Sequence, residues 1–377
     1  MDFQVTIDAM AVCIQTRTPC LLTGAPGVAK TSITEGLMEV LCADHHTSIA
    51  ALHEPPEYGG YPQPVAATET EPAGVALLAC RWVNRLARVT DPSKIVGLFL
   101  DELSNAPPAT RSAAMRGILD GVWGEVEIPR LAVVAAMNPA HIAESGYELS
   151  APLANRFVHL DWDMPGAYWL DAMVAGFPAP KVRRLPNGWE SKLALARGYV
   201  TGFGHARPAA LQSMPQEASL RAGPWASYRT WTMAMRLVAA SLAMGEKLDG
   251  NLALMLMKGC VGPGAAAEFL TWAVEMDLPD PEKVLADPSL LQMHDRGDRA
   301  YAVLSSVAAA VLGNNTIPRW TQGWEVLSRA AQQNRVDVAA MAARALASNQ
   351  PANLVKMPKA IDAFIPVLQA AGMFSTR

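Results

Sequence analysis

The stretch LLTGAPGVAKTS, residues 21–32, decides how the rest of the chain is read. An apolar run ends in glycine, a short loop follows, and a Lys-Thr pair opens a segment of helix-forming residues. The spelling is that of a phosphate-binding loop, except that Ala29 stands where glycine usually precedes the lysine. A strand stopping at Gly24 and a helix starting near Lys30 leave a tight turn whose backbone N–H groups point inward at an anion. Gly24, Ala25, Pro26, Gly27, Val28, Ala29, Lys30, Thr31 and Ser32 are therefore the candidate phosphate-binding residues. Gly27 is the position most in need of a backbone conformation closed to side chains. Ala29 is expected at an ordinary helix start, its methyl turned away from the phosphates. Lys30 would reach the β- and γ-phosphates, and the Thr31 hydroxyl would bind Mg2+. The bland alternative is a glycine turn that only joins strand to helix.

Further apolar runs follow: TSIAALH (47–53), KIVGLFLDE (94–102), RLAVVAAMNP (130–139) and RFVHLDW (156–162), each bounded by polar or turn residues. Short apolar runs separated by helical patterns predict a buried parallel sheet. The segment PPATRSAAMRGILDG has prolines suited to a first helical turn and Gly121 suited to a C-terminal cap. In IVGLFLDEL, Asp101 and Glu102 fall at the end of a strand, the edge where an open parallel sheet binds ligands. Asp101 would hold the Mg2+ shell, and Glu102 would orient and deprotonate the attacking water. An exposed acidic pair opening the next segment is the alternative for these two alone; paired with the loop, they point to nucleotide hydrolysis.

After Pro165 the character changes. GFPAPKVRRLPNGW (176–189) reads as a linker, and beyond it lie only helical patterns, among them SYRTWTMAMRLVAASLAM and DRAYAVLSSVAAAVLG. The 377 residues are 51% hydrophobic and 18% charged with net charge −4, a globular composition with no basic surface to advertise nucleic acid or an anionic membrane. Five cysteines without a CxxC pair argue against a disulfide framework and a zinc knuckle. His45, His46 and His53 lack the company of ligand-spaced carboxylates, and no GxSxG elbow is present. The start MDFQVTIDAM lacks a signal-peptide pattern and no apolar stretch is long enough to span a bilayer, so a cytoplasmic protein is expected.

GAPGVAKT, LFLDELSNAPPATRSAAMRGILDG, AAMNPA and LSAPLANRFVHLD, in this order, resemble the MoxR-type branch of the AAA+ ATPases. The resemblance is strong over residues 15–165 and thinner to about 245. Ala before the lysine is an ordinary spelling in that branch. The fold implied is an α/β, AAA+ P-loop NTPase core with a parallel sheet (1–165), then a linker and an all-helical lid (166–285), then a further helical region (286–377). The cofactors implied are ATP and Mg2+, and the preference for ATP over GTP rests on the resemblance alone. Asn138 matches the sensor-1 residue beside the γ-phosphate; its alternative is an Asn opening the turn NPAH. Arg156 in LANRF matches the arginine finger that reaches a neighbouring subunit's nucleotide, with a surface arginine as the alternative. The resemblance also implies a ring of copies, hexameric in the family, that remodels a protein client, and a partner carrying a von Willebrand factor A-type domain.

Arg229 has a physical argument of its own. Ser227 is a plausible N-cap, which puts Arg229 in the first turn of an apolar helix, where a cation opposes the helix dipole unless an anion is bound. The position resembles the family's sensor-2 arginine, acting on its own subunit's nucleotide or on a neighbour's. In HEPPEYGGYPQP (53–64), Tyr58 and Tyr61 are read as a packed Pro-Gly turn ahead of the alternative, aromatic residues gripping a client. GVWGEVEIPR predicts a short hairpin, and Arg111, Arg116 and Arg130 are read as solvated helix or turn arginines ahead of the alternative, a subunit interface. Two rival functions are a nucleic-acid motor of the same fold, which the acidic balance disfavours, and a non-hydrolysing ATP-dependent switch, which Glu102 and Asn138 disfavour.

Overall fold

The computed structural model describes residues 3–70, 72–139, 142, 148–291 and 296–373. The chain divides into two compact units that do not follow chain order: Met1–Pro186 with Ser213–Leu237 and Gly250–Ala266, and Asn187–Gln212 with Val238–Asp249 and Ala267–Arg377.

The first unit is built on five strands, β1 (Cys20–Thr23), β2 (Asp44–Ile49), β3 (Val96–Asp101), β4 (Leu131–Met137) and β5 (Val158–Asp161). They lie in the order β2-β3-β4-β1-β5 with every pairing parallel. The chain works out from β1 to one edge, returns through β3 and β4, and then passes β1 to place β5 on its other side. All five carboxyl ends therefore share one rim, and the strand order switches direction at β1, where such sheets bind ligands. The middle strands read as unbroken apolar runs because both faces are covered: Val96 and Leu98 to Leu100, and Ala132 to Ala136, are buried. Helices α1 (Phe3–Thr16) and α2 (Lys30–Leu41) pack on one side, while Leu98, Leu100, Phe157, Tyr58, Val83 and Trp123 belong to a continuous core.

Two local expectations are corrected. The second strand is not the apolar run 47–53 but the more polar Asp44–Ile49, followed by a 3-10 turn at Ala50–Leu52. As an edge strand only half-buried over most of its length, it tolerates polar residues that a middle strand would not. The stretch 176–189 is not a free connector: Gln4 donates to the Lys181 carbonyl at 3.2 Å, Gln15 to that of Arg183 at 3.0 Å, and Arg184 to that of Val40 at 2.7 Å. Residues 181–184 are thus strapped onto α1 and α2.

Helix α3 (Pro108–Asp120) starts on its proline and ends at Gly121, whose φ of 70° makes the left-handed cap. Val122–Trp123 and Val126–Glu127 form the short hairpin that the sequence predicts. Tyr58 is buried and shares a 2.7 Å hydrogen bond with Ser48, as a packed tyrosine should, whereas Tyr61 is exposed at the start of a second hairpin, Tyr61–Val65 with Gly74–Leu78. Arg111 is buried and donates to the Glu148 carbonyl, and Arg130 donates to the carbonyls of Lys94 and Val89, so neither is a solvated arginine; Arg116 is exposed.

The second unit is helical. Leu193–Ala206 packs closely on Gly297–Gly313, because Gly198 and Gly202, one turn apart, face Ser306 and Ala302; a Cβ added at either glycine would come within 2.6 Å of those side chains. Ile317–Gln332 and Val336–Ser348 complete its core through Trp320, Trp324 and Leu346. No strand follows residue 161 among the described residues. The fold class is the expected α/β one, a five-stranded parallel sheet covered by helices with helical regions after it. Among the described residues no helix is long and apolar enough to cross a membrane.

Candidate functional site

The loop between β1 and α2 is held from beneath. Gly24 passes so close to Trp162 that a Cβ there would lie 2.3 Å from the Trp162 carbonyl oxygen. The Trp162 indole N–H donates to the Val28 carbonyl at 2.9 Å, and Phe3 packs edge-on against the same ring at 4.9 Å. Pro26 and Gly27 form the exposed crest, with Gly27 at φ +77°. Ala29 departs from expectation: it is not an ordinary helix start but sits in the left-handed region at φ 55°, ψ 27°. That conformation explains why glycine is the usual residue, since a side chain costs roughly 1–2 kcal/mol there. The N–H groups from Gly27 through Ser32 find no acceptor among the described residues. They are the open donors of a helix N-terminus plus its lead-in turn, which is what an oxyanion needs.

Lys30 is buried and its ammonium bonds three acceptors: the carbonyls of Gly24 at 2.8 Å and Ala25 at 2.7 Å, and Asn138 Oδ1 at 3.1 Å. Burial pushes its pKa down, and the carboxylates of Asp101 and Glu102 oppose that shift. Asn138 follows β4, which lies directly beside β1, so the lysine spans neighbouring strand ends. One position farther along the sheet, Asp101 Oδ2 accepts from Thr31 Oγ1 at 2.6 Å, and its Oδ1 accepts from the Glu102 backbone N–H at 2.9 Å. Asp101 thus turns one oxygen to the loop and uses the other to hold Glu102 in a left-handed conformation, φ 55°, ψ 37°. A glutamate with positive φ is uncommon, and such outliers cluster at functional sites. Its side chain is exposed. A hydroxyl and a carboxylate within hydrogen-bond reach are two hard oxygen donors, which suit Mg2+.

These residues line one cleft of about 930 Å³. The structure brings Gly27, Lys30, Thr31, Asp101, Glu102 and Asn138 together on its wall. Arg156 and Arg229 are not among the lining residues. They are brought near each other instead. Asn155, buried at 3% exposure, donates to the Trp225 carbonyl at 3.1 Å and accepts from Ser227 Oγ at 2.7 Å, tying the segment before β5 to the start of helix Tyr228–Ala243. Ser227 caps that helix by accepting from the Thr230 N–H at 3.2 Å, as its sequence position predicts. Arg156 and Arg229 each follow one of these tied residues. Burial first, and then the Arg229 guanidinium, lower the pKa of Arg156, and the Asp120 carboxylate opposes that shift. Arg156 donates to the Pro152 carbonyl, and its Nε is buried without a partner.

Sequence reasoning missed the cleft's second wall: Met164, Tyr168, Trp169 and Ala172, on and before helix α4 (Gly166–Val174), and Phe177 to Pro180 after it. The available signal was the aromatic run GAYWLDAMVAGF directly behind β5, on the rim where ligands bind. The histidines form no metal site among the described residues; His46 stacks on Trp82 at 4.9 Å and 12°, and burial lowers its pKa to about 4.

No family model and no curated protein matches this chain. Among solved structures, one described as a "putative ATPase" from Cytophaga hutchinsonii is similar at 18% identity, over 63% of this chain and 74% of that one, with a TM-score of 0.41. A similarity at that level assigns neither activity nor partner.

Proposed function

We propose that this chain is a Mg2+-dependent ATP hydrolase of the AAA+ class, of the MoxR type that its motifs resemble. The observation that carries the reading is the meeting of two elements remote in sequence: Thr31, from the loop, donates to Asp101, from the end of β3, at 2.6 Å, beside a lysine bonded to Asn138. A bare glycine turn would have no reason to collect a lysine, a hydroxyl, two carboxylates and an amide at one strand-end rim.

Each residue then has a task that its position fits. The open N–H groups of Gly27 to Ser32 bind phosphate oxygens, and Lys30 exchanges its carbonyl partners for the β- and γ-phosphates. Thr31 and Asp101 would hold the Mg2+, which when bound neutralises charge on the transferring phosphoryl group. Glu102 orients a water and accepts its proton, and Asn138 fixes that water's position beside the terminal phosphate. Arg156 lies outside the cleft, which fits a guanidinium that serves the nucleotide of another copy of the chain. The reading carries with it the ring, hexameric in the family it resembles, a cytoplasmic setting, and a protein client or partner with a von Willebrand factor A-type domain.

The deciding experiment is ATP turnover by the purified chain beside Glu102→Gln. Mg2+-dependent phosphate release that falls to background in the variant, with nucleotide binding retained, supports the reading. Equal rates near zero in both would replace it with an ATP-dependent assembly switch.

A further inference from the structure

Two features of the phosphate loop oppose each other. Ala29 sits in the left-handed region at φ 55°, ψ 27°, a conformation that its methyl disfavours and a glycine would not. What holds the turn comes from outside the loop. Trp162, the first residue after β5, touches it at three points. Its backbone N–H donates to the Thr23 carbonyl at 2.8 Å, its own carbonyl oxygen closes against Gly24, and its indole N–H donates to the Val28 carbonyl at 2.9 Å. Trp162 is buried, and Phe3, the first residue of α1, fixes its ring edge-on and packs in turn on Tyr168, both pairs at 4.9 Å.

The indole contact sets the direction of a donor. A trans peptide unit is planar, with its C=O and N–H pointing to opposite sides. Because the Val28 carbonyl is held on the indole, the Ala29 N–H of the same unit points away from Trp162. That is the side on which Gly27, Ala29 and Lys30 line the cleft, a lining that includes neither Val28 nor Trp162. Turning the unit over would carry φ of Ala29 from 55° to a negative value, which side chains prefer, and would aim the N–H at the indole instead of at an anion. Alanine favours the turned-over unit, and the indole bond opposes it.

We propose that Trp162 is a positioning residue of the nucleotide site: its indole N–H holds the Val28–Ala29 peptide in the orientation that presents the Ala29 N–H to phosphate, and alanine at position 29 is what makes this bond necessary. The inference rests on the reading of the loop as a triphosphate site and adds how this chain keeps that site preorganised. With glycine at 29 the two orientations differ little in backbone cost. With alanine the bond decides what fraction of chains can bind, and apparent affinity scales with that fraction.

The test measures binding of Mg2+-ATP and of inorganic tripolyphosphate, and turnover at saturating ATP, on the full chain and four variants. Trp162→Phe should weaken both ligands by roughly tenfold and leave saturated turnover within about threefold, since the loop is populated less and works unchanged once filled. Adding Ala29→Gly to Trp162→Phe should restore most of the loss, a rescue that a merely structural tryptophan would not show. The control is Trp324→Phe, the same truncation at a buried tryptophan of the second unit whose indole N–H has no partner, and its affinities should not move. In the fourth variant, 3-benzothienylalanine at position 162 keeps the bicyclic ring without the N–H and should repeat the loss, including where Trp162→Phe does not fold. Unchanged affinity in the folded position-162 variants, an equal loss in Trp324→Phe, or a loss that Ala29→Gly leaves in place would each overturn the proposal. Failure of the unsubstituted chain to bind either ligand, with no difference in Lys30→Ala, would sink the triphosphate reading and this inference with it.

Discussion

Two cationic places in the first unit make opposite use of their charge. At Lys30 every ammonium donor has an acceptor supplied by the same chain, and two carboxylates stand behind them. Near Arg156 the chain supplies a second guanidinium, only the more weakly acting Asp120 carboxylate opposes it, and one buried N–H is left without an acceptor. The first place is internally balanced and needs a ligand only to exchange partners. The second is short of negative charge, and the framework holding it, Asn155 bonded to Trp225 and Ser227, spends buried hydrogen bonds to keep it so. On the proposed reading, a site completed from within and a site short of an anion fit a nucleotide shared between copies.

The sharpest way to break this contrast is to remove each charge in turn. Arg156→Ala should reduce ATP turnover by about 10³-fold or more while leaving the affinity of each chain for nucleotide within a few-fold, the signature of a finger supplied by a neighbour. In mixtures with Lys30→Ala chains, activity should partly return, because one variant supplies the arginine and the other the nucleotide. Loss of nucleotide affinity in Arg156→Ala would show instead that it serves its own cleft. Glu102→Gln should lower turnover by roughly 10²–10⁴-fold with binding intact, the range of a lost general base. Lys30→Ala should lose binding itself, seen by titration with a slowly hydrolysed ATP analogue.

The framework under the arginines predicts a smaller effect. Asn155→Ala removes one hydrogen bond each from the Ser227 hydroxyl and the Trp225 carbonyl, which keep only Thr230 as a partner, at a cost of about 1–3 kcal/mol for the two bonds by denaturant unfolding. If the contrast is correct, turnover should also fall at temperatures where the variant is fully folded, because Arg156 and Arg229 lose their common support. Full activity in the folded variant would mean that their proximity has no consequence for catalysis.

The balanced site was legible in the sequence and the unbalanced one only in part, for a physical reason. Asp101 and Asn138 stand where apolar runs stop, and Lys30 and Thr31 open the helix that follows another, so residue type at the end of a buried strand and its loop carries chemical meaning on its own. Nothing in the sequence places Arg156 beside Arg229, because that depends on a buried asparagine bridging segments far apart in the chain. The aromatic wall was hidden differently: Pro and Gly near 176–189 suggest flexibility, and the hydrogen bonds that strap the segment down come from glutamines on a distant helix. Asp44–Ile49 was misplaced because edge strands do not need the apolar pattern that identifies middle ones.

The smallest expected effect concerns the residue where sequence and structure disagree most narrowly. Ala29 as an ordinary helix start would gain nothing from glycine and would lose the restriction that alanine places on the unfolded chain, about 0.4–1 kcal/mol. In the left-handed conformation found here the balance reverses, since removing the methyl relieves roughly 1–2 kcal/mol of backbone strain. Ala29→Gly should therefore stabilise the protein by about 0.5–1 kcal/mol net, visible as a small rise in the unfolding midpoint with turnover little changed. A fall in the midpoint would contradict the left-handed turn and return the residue to a regular first turn of α2. The loop would then have to present its N–H groups by a different path, and the comparison with Arg156 would lose its better-defined half.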